Sequence, residues 1–251
     1  MQFNIQNYKN ILKLIKSQNY NFIEACEWKK KSNIKKKIII LRHDIDFDLE
    51  YALNIAKIEN KLNIKSNFFF LINDEYYNIF SPQSEKILKK ILNLGHYVGL
   101  HIDPSRYDNI NFNKNIKRDI KYFGNFYNLK INSFSFHKPT IYNFSKININ
   151  FAYHSYNKKL LQEYKYISDS SMVFDYKLLN DLVTQGKKIH LLIHPLWWTT
   201  NSNKIDSKLN EVINKKIETL NHIFYNYKTL LKSININKSK KKFLYHLKLM
   251  K

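Results

Sequence analysis

A single cysteine, Cys26, stands among the 251 residues, so no internal disulfide is open to the chain and no paired-cysteine zinc framework exists in it. That excludes disulfide-stapled secreted scaffolds and fits a reducing compartment. Arginine is nearly as scarce: it occurs only at Arg42, Arg106 and Arg118, although Lys and Arg together number 42 against 20 Asp and Glu. The formal net charge of +22 is therefore carried by lysine. Base readout and bidentate phosphate clamping lean on the arginine fork, so a scattered lysine excess reads as a solvated surface, and nucleic acid is not the expected partner. Long apolar runs are missing as well. The longest, Ile38 to Leu41, Phe68 to Ile72 and Leu191 to Ile193, fall far short of the roughly 20 residues of a transmembrane helix. The first residues, MQFNIQNYKNILKLIK, hold no continuous apolar segment and no small-residue cleavage site, so no secretory signal is read and the expected location is the cytoplasm. No Gly/Ser- or Pro-rich linker and no fixed repeat divides the chain.

What is present suffices for a core: 44% of the residues are hydrophobic and 15% aromatic. Short apolar runs alternate with helical patterns. Ile38 to Arg42 reads as a buried strand, followed by a helix from Leu49 with Asp48 as its cap and Ala52, Leu53, Ala56 and Leu62 on one face. Ser66 to Ile72 is the next strand. A helix near Pro82 then presents Ile87, Leu88, Ile91 and Leu92 and ends at Gly95. Strands follow at Tyr97 to Ile102, Ser133 to Phe136, Tyr164 to Ser168 and Ile189 to Ile193, with a helical stripe of Ile116, Ile120, Phe123 and Tyr127 between the first two. The alternation predicts an α/β fold whose mostly parallel sheet or barrel is wrapped by helices, with its chemistry at the C-terminal strand ends. Beyond Asn201 the pattern is helical, and Ser239 to Lys242 is Lys-rich. One domain is expected, with an N-terminal helical extension at 1–36, a barrel at 37–200 and a C-terminal helix and tail at 201–251.

Three polar clusters fall at predicted strand ends. In the first, Arg42, His43, Asp44, Ile45 and Asp46, two carboxylates at alternate positions are costly unless a cation or a proton-transfer role stabilises them. In the second, around Gly95 to Pro104, the strand period of two puts His96 and His101 on opposite faces, so the two histidines are not expected to share a metal. In the third, Ile193 ends a strand and His194 precedes Pro195, beside Leu196, Trp197 and Trp198, an aromatic surface suited to stacking on a sugar ring.

The succession RHDID, GHYVGLH, FHKP, YISDS and LLIHPLWW, from Ile38 to Trp198, resembles the polysaccharide deacetylase superfamily, carbohydrate esterase family four. The resemblance is closest to an intracellular-looking branch found among surface-polysaccharide genes. It implies a distorted (β/α) barrel of about seven strands, a divalent metal, usually zinc, and removal of an N-acetyl group from an amino sugar. It makes Asp44 the general base, His194 the general acid, and Asp46 and His101 metal ligands. The family carries a second ligand His where this chain has Ser105, and an Arg near the base where this chain has His137 before Lys138 and Pro139. His137, or Asp103, is therefore expected to complete the metal site. Arg42, Trp197 and Trp198 are expected at the substrate, and Asp169, Ser170 and Ser171 in the architecture of the pocket.

The expected function is a metal-dependent hydrolase of an N-acylated sugar, nucleotide- or lipid-linked, in surface-glycan assembly. Two alternatives stand beside it. One is a non-catalytic glycan binder on the same barrel. The other is a glycosyltransferase using Asp44 and Asp46 as a DxD pair on a metal and a nucleotide diphosphate.

Overall fold

The computed structural model describes residues 2–31, 37–73, 75–107, 111–138, 149, 151–200 and 202–233. The Lys-rich stretch at 239–242 and Pro139 of the FHKP run lie outside them. Compactness divides the chain into two units, Met1–Lys208 and Leu209–Lys251.

The elements of the first unit, in chain order, are α1 (Ile5–Ser17), β1 (Asn21–Phe22), α2 (Trp28–Lys31), β2 (Ile38–Ile45), α3 (Leu49–Lys61), β3 (Asn67–Leu71), α4 (Pro82–Asn93), β4 (Tyr97–Ile102), α5 (Phe112–Tyr127), β5 (Ser133–Phe136), β6 (Tyr153–His154), α6 (Lys158–Glu163), β7 (Lys165–Ser168), α7 (Tyr176–Thr184), β8 (Ile189–Ile193) and α8 (Pro195–Thr199). The last helix, α9 (Ile205–Ser233), begins in this unit and continues into the second. Seven strands form one parallel sheet in the order β6-β5-β4-β3-β2-β8-β7, curled as a half-barrel with helices around it. β1 pairs with the start of β2 at Asn21↔Ile38, so the N-terminal segment expected to be helical also adds a short strand to the sheet.

β2 is central because it can be buried on both faces, as a parallel strand between helix layer and barrel interior must be. All eight of its residues are buried. It runs three residues beyond the expected Ile38 to Arg42, so Asp44 lies within the strand and Asp46 one residue past its end. Asp48 caps α3, its side chain accepting from Glu50 N. Ser81 caps α4 by accepting from Ser84 N, and Gly95 follows that helix at φ +86°, where an L side chain is disfavoured. Gly99 in β4 answers a different need. A Cβ there would stand 2.5 Å from both the Phe69 ring and the Ser133 carbonyl oxygen, so only glycine lets β4 carry His101 this close to its neighbours.

A candidate metal and acid–base site

The pleat of β2 sends its polar residues to two sides. On the interior side, Arg42 and Asp44 form a buried two-point ion pair: Nε donates to Oδ1 at 3.0 Å and Nη2 to Oδ2 at 2.8 Å. Ser135 Oγ, from β5, donates to Asp44 Oδ1 at 3.0 Å. Register explains the meeting, since β4 pairs with β5 at His101↔Ser135. The Ser135 hydroxyl proton is committed to Asp44, so its lone pair accepts from His101 Nδ1–H at 2.6 Å. That fixes the tautomer and leaves His101 Nε2 as a bare lone pair directed away from Ser135.

His101 Nε2 lies 3.1 Å from His137 Nδ1 and 3.2 Å from Asp46 Oδ1, and His137 Nδ1 lies 3.5 Å from that same carboxylate oxygen. Asp46, His101 and His137 thus bring ligand atoms within 4.8 Å of one another. Asp46 Oδ1 is buried without a hydrogen bond of acceptable geometry. An orphaned carboxylate oxygen between two imidazole nitrogens fits a divalent cation, and two imidazoles with one carboxylate suit zinc or a similar ion. Of the two residues expected to complete this set, His137 is the one that converges; Asp103 Oδ1 is engaged by Ser105 N at 2.9 Å and Ser105 Oγ at 2.7 Å.

His194 stands across the site, its Nε2 3.8 Å from Asp46 Oδ2. Its orientation comes from Asp169, fully buried just after β7, which accepts from the His194 backbone N at 2.9 and 3.0 Å, from Nδ1 at 2.6 Å and from Trp198 Nε1 at 2.6 Å. Burial works against the charged imidazole, but Asp169, with Asp46 and Asp44 beyond it, prevails and raises the His194 pKa to about 9. For Asp44, burial favours the neutral acid, yet the Arg42 guanidinium, then His101, hold its carboxyl below the ordinary value. Asp46 is held well below it, burial again being outweighed by the imidazoles of His101 and His137.

Two of the residues expected at the substrate, Arg42 and Trp198, are buried instead of open to the groove. Arg42 is fully buried and spends two nitrogens on Asp44, so it positions the carboxylate and does not face a ligand. Trp198 is 1% exposed and supports Asp169, offering no surface on which a sugar could stack. Trp197 is also buried but lines a small cleft with Asp44, Asp46, Tyr51 and His194. The open surface lies elsewhere. A groove of about 520 Å³ borders Asp46 and His137 and is walled by Phe47, Tyr76, Asp103, Arg106 and Lys138. Its exposed aromatic is Tyr76, packed edge-on against Phe47 with ring centroids 4.9 Å apart.

Ser135 was missed from the sequence, although the alternation in SFSF already put Ser133 and Ser135 on one face. The action of Asp169 on His194 was missed too; the β7–β8 register, Ser168↔Leu192, brings Asp169 level with Ile193, one residue before His194, and within reach of its backbone N and ring.

No family model matches the chain, and no curated protein does. Among solved structures it is similar to a Streptococcus pyogenes deacetylase in complex with acetate, at 16% identity over 53% of this chain and 62% of that one, with a TM-score of 0.44. It is similar to a wild-type CE4 family pseudoenzyme from Bacillus anthracis, at 15% identity over 72% of this chain and 62% of that one, TM-score 0.41. A third is the chitin deacetylase of the fungal pathogen Colletotrichum lindemuthianum, at 13% identity over 78% of this chain and 86% of that one, TM-score 0.41. The chain spans less than two thirds of the length of the first two.

Proposed function

We propose that this protein is a metal-dependent hydrolase that removes the acyl group from an N-acylated sugar. The observation that carries the reading is the convergence of Asp46, His101 and His137 within 4.8 Å beside a histidine whose proton is secured by Asp169. The motif resemblance to polysaccharide deacetylases supports it. Asp46, His101 and His137 would hold the divalent ion, with zinc the expected metal; when bound, such an ion polarises an acyl carbonyl and acidifies water.

The chain's own residues supply the rest. Asp44, kept ionised by Arg42, takes the proton from the attacking water. His194, protonated at neutral pH because Asp169 holds its pKa near 9, donates that site's proton to the departing amine nitrogen. Water is consumed, the C–N bond breaks, and a carboxylate and a free amino sugar leave. Phe47 and Tyr76 offer the ring surface beside the groove, and Arg106 and Lys138, set among Glu75 and Asp103, offer local positive charge to a nucleotide- or lipid-linked sugar. A cytoplasmic role in surface-polysaccharide assembly is the setting we propose.

A second reading has one specific support. Asp44 is 3% exposed and both its oxygens are engaged by Arg42, which suits a glycan-binding protein without turnover as well as a restrained base. The same clasp disfavours a glycosyltransferase, whose metal would need Asp44 as well as Asp46. Acetate release separates the readings. The metal-loaded protein should release acetate from N-acetylated sugar oligomers or nucleotide-linked N-acetyl sugars, and Asp44→Asn should retain metal yet release none. Glycan binding by metal-loaded wild type with no acetate from any such substrate would favour the binding role.

A further inference from the structure

The Leu209–Ser233 part of α9 has an apolar face that the site does not use. Ile213, Ile217, Leu220, Phe224, Tyr227 and Leu231 recur at alternating steps of four and three, and each is at least 50% exposed. Ile223 and Leu230, at 56% and 54%, add a further row. At about 100° per residue these side chains span an arc of roughly 140°. From Ile217 to Leu231 every residue is exposed, and the opposite side of the helix carries Glu218, Asn221, His222 and Asn226, with Tyr225 the one large apolar side chain among them.

Charge identifies the occupant. Residues 234–251 contain six lysines, Lys238, Lys240, Lys241, Lys242, Lys248 and Lys251, and no Asp or Glu. Exposed aromatics at Phe224 and Tyr227 suit a headgroup boundary, where an apolar body and a polar rim are both satisfied. Pairing with a second copy fits less well. A two-stranded coiled coil would bury only the narrow seam and leave the Ile223 and Leu230 row at its rim. Its flanking positions, Asn214, Lys216, Asn221 and Lys228, provide no opposite charges to fix partner or register, and parallel pairing would bring two lysine-dense segments together.

We propose that this helix lies in the plane of an anionic lipid surface, its apolar face in the headgroup–acyl boundary, with the positive charge of residues 234–251 favouring that surface. It lies on the membrane and does not span it, since no helix among the described residues is long and apolar enough to cross. The placement is independent of the hydrolase reading.

Flotation of the full chain with phosphatidylglycerol–phosphatidylcholine vesicles tests it against pure phosphatidylcholine vesicles. Partition should fall at least about tenfold on the neutral vesicles, in high salt, in Leu220→Asp/Phe224→Asp, and in Lys240→Gln/Lys241→Gln/Lys242→Gln. The lysine variant keeps the apolar face intact and so reads the charge even if the aspartate variant misfolds, which circular dichroism would reveal. Absent or lipid-independent flotation of the wild type would overturn the proposal. So would a dimer, seen by light scattering, that folded Leu220→Asp/Phe224→Asp splits, for the face would then belong to a second copy.

Discussion

Two buried clusters of carboxylate and imidazole share β2, one on each side of its pleat, and they are built to opposite ends. On the helix side, Glu59 of α3 is fully buried and each of its oxygens accepts a hydrogen bond. Oε1 accepts from Tyr8 Oη and pairs with His43 Nε2 at 2.8 Å; Oε2 accepts from Ser66 Oγ at 2.5 Å and has His96 Nδ1 at 3.6 Å. His43 Nδ1 meets the Ile193 carbonyl at 3.3 Å, and His96 Nε2 donates to the Ala56 carbonyl at 3.0 Å. Burial, ahead of its neighbours, lowers the His96 pKa and keeps that ring neutral. On the interior side, Asp46, His101 and His137 aim their atoms at one another, and Asp46 Oδ1 has no hydrogen bond. Residue types alone do not tell the two apart. What separates them is satisfaction: a closed network fastens α1 and α3 to β2, β8 and the residues leading into β3 and β4, whereas an open one leaves room for a ligand.

The sharpest break of this comparison is Asp46→Ala. It should abolish metal retention and cut turnover by at least about 10³-fold, while urea denaturation of the metal-free protein changes by no more than about 1 kcal/mol. Glu59→Ala should do the reverse in stability. Leaving His43, Ser66 and Tyr8 without their shared acceptor should cost about 3–5 kcal/mol and lower Tm by roughly 10 °C, read by calorimetry. A destabilised Asp46→Ala alongside an unaffected Glu59→Ala would exchange the roles assigned to the clusters.

Legibility from sequence followed the same division. Three strands, Tyr97–Ile102, Ser133–Phe136 and Ile189–Ile193, coincide with their apolar runs, and Asp48 caps α3 as expected. The period of two also placed His96 and His101 apart, and the structure puts one in each cluster. β1 and β6 were not legible, because two-residue strands are defined by their partners and carry no periodicity. Arg42 and Trp198 stand next to site residues in the chain, which makes them look like substrate contacts. Their burial depends on tertiary pairs, Arg42 with Asp44 and Trp198 with Asp169, that spacing alone does not reveal.

Smaller effects refine the open cluster. Asp169→Asn removes the charge that raises His194, so its pKa should fall from about 9 toward the ordinary value near 6.5, visible in an NMR titration of the imidazole. A general acid must be protonated, so wild-type turnover should hold up to about pH 9 and decline above it, while the variant declines from about pH 6.5. Stability has the same sign. A folded pKa raised above the unfolded one contributes fully below about pH 6.5 and is lost as pH rises through about 9, and Asp169→Asn should flatten that alkaline slope. Trp198→Phe, which deletes one donor to Asp169 and leaves a small void among Phe3, Tyr8 and Phe174, should cost about 2–3 kcal/mol and move the alkaline limb slightly.

The claim that the interior cluster is a metal centre is tested most directly by elemental mass spectrometry of purified protein after loading with zinc, for wild type, His101→Ala, His137→Ala and Glu59→Gln. Wild type and Glu59→Gln should retain near-stoichiometric divalent metal, and both histidine variants should lose it. A folded wild type that retains none, or a His137→Ala variant that retains it fully, would contradict the claim.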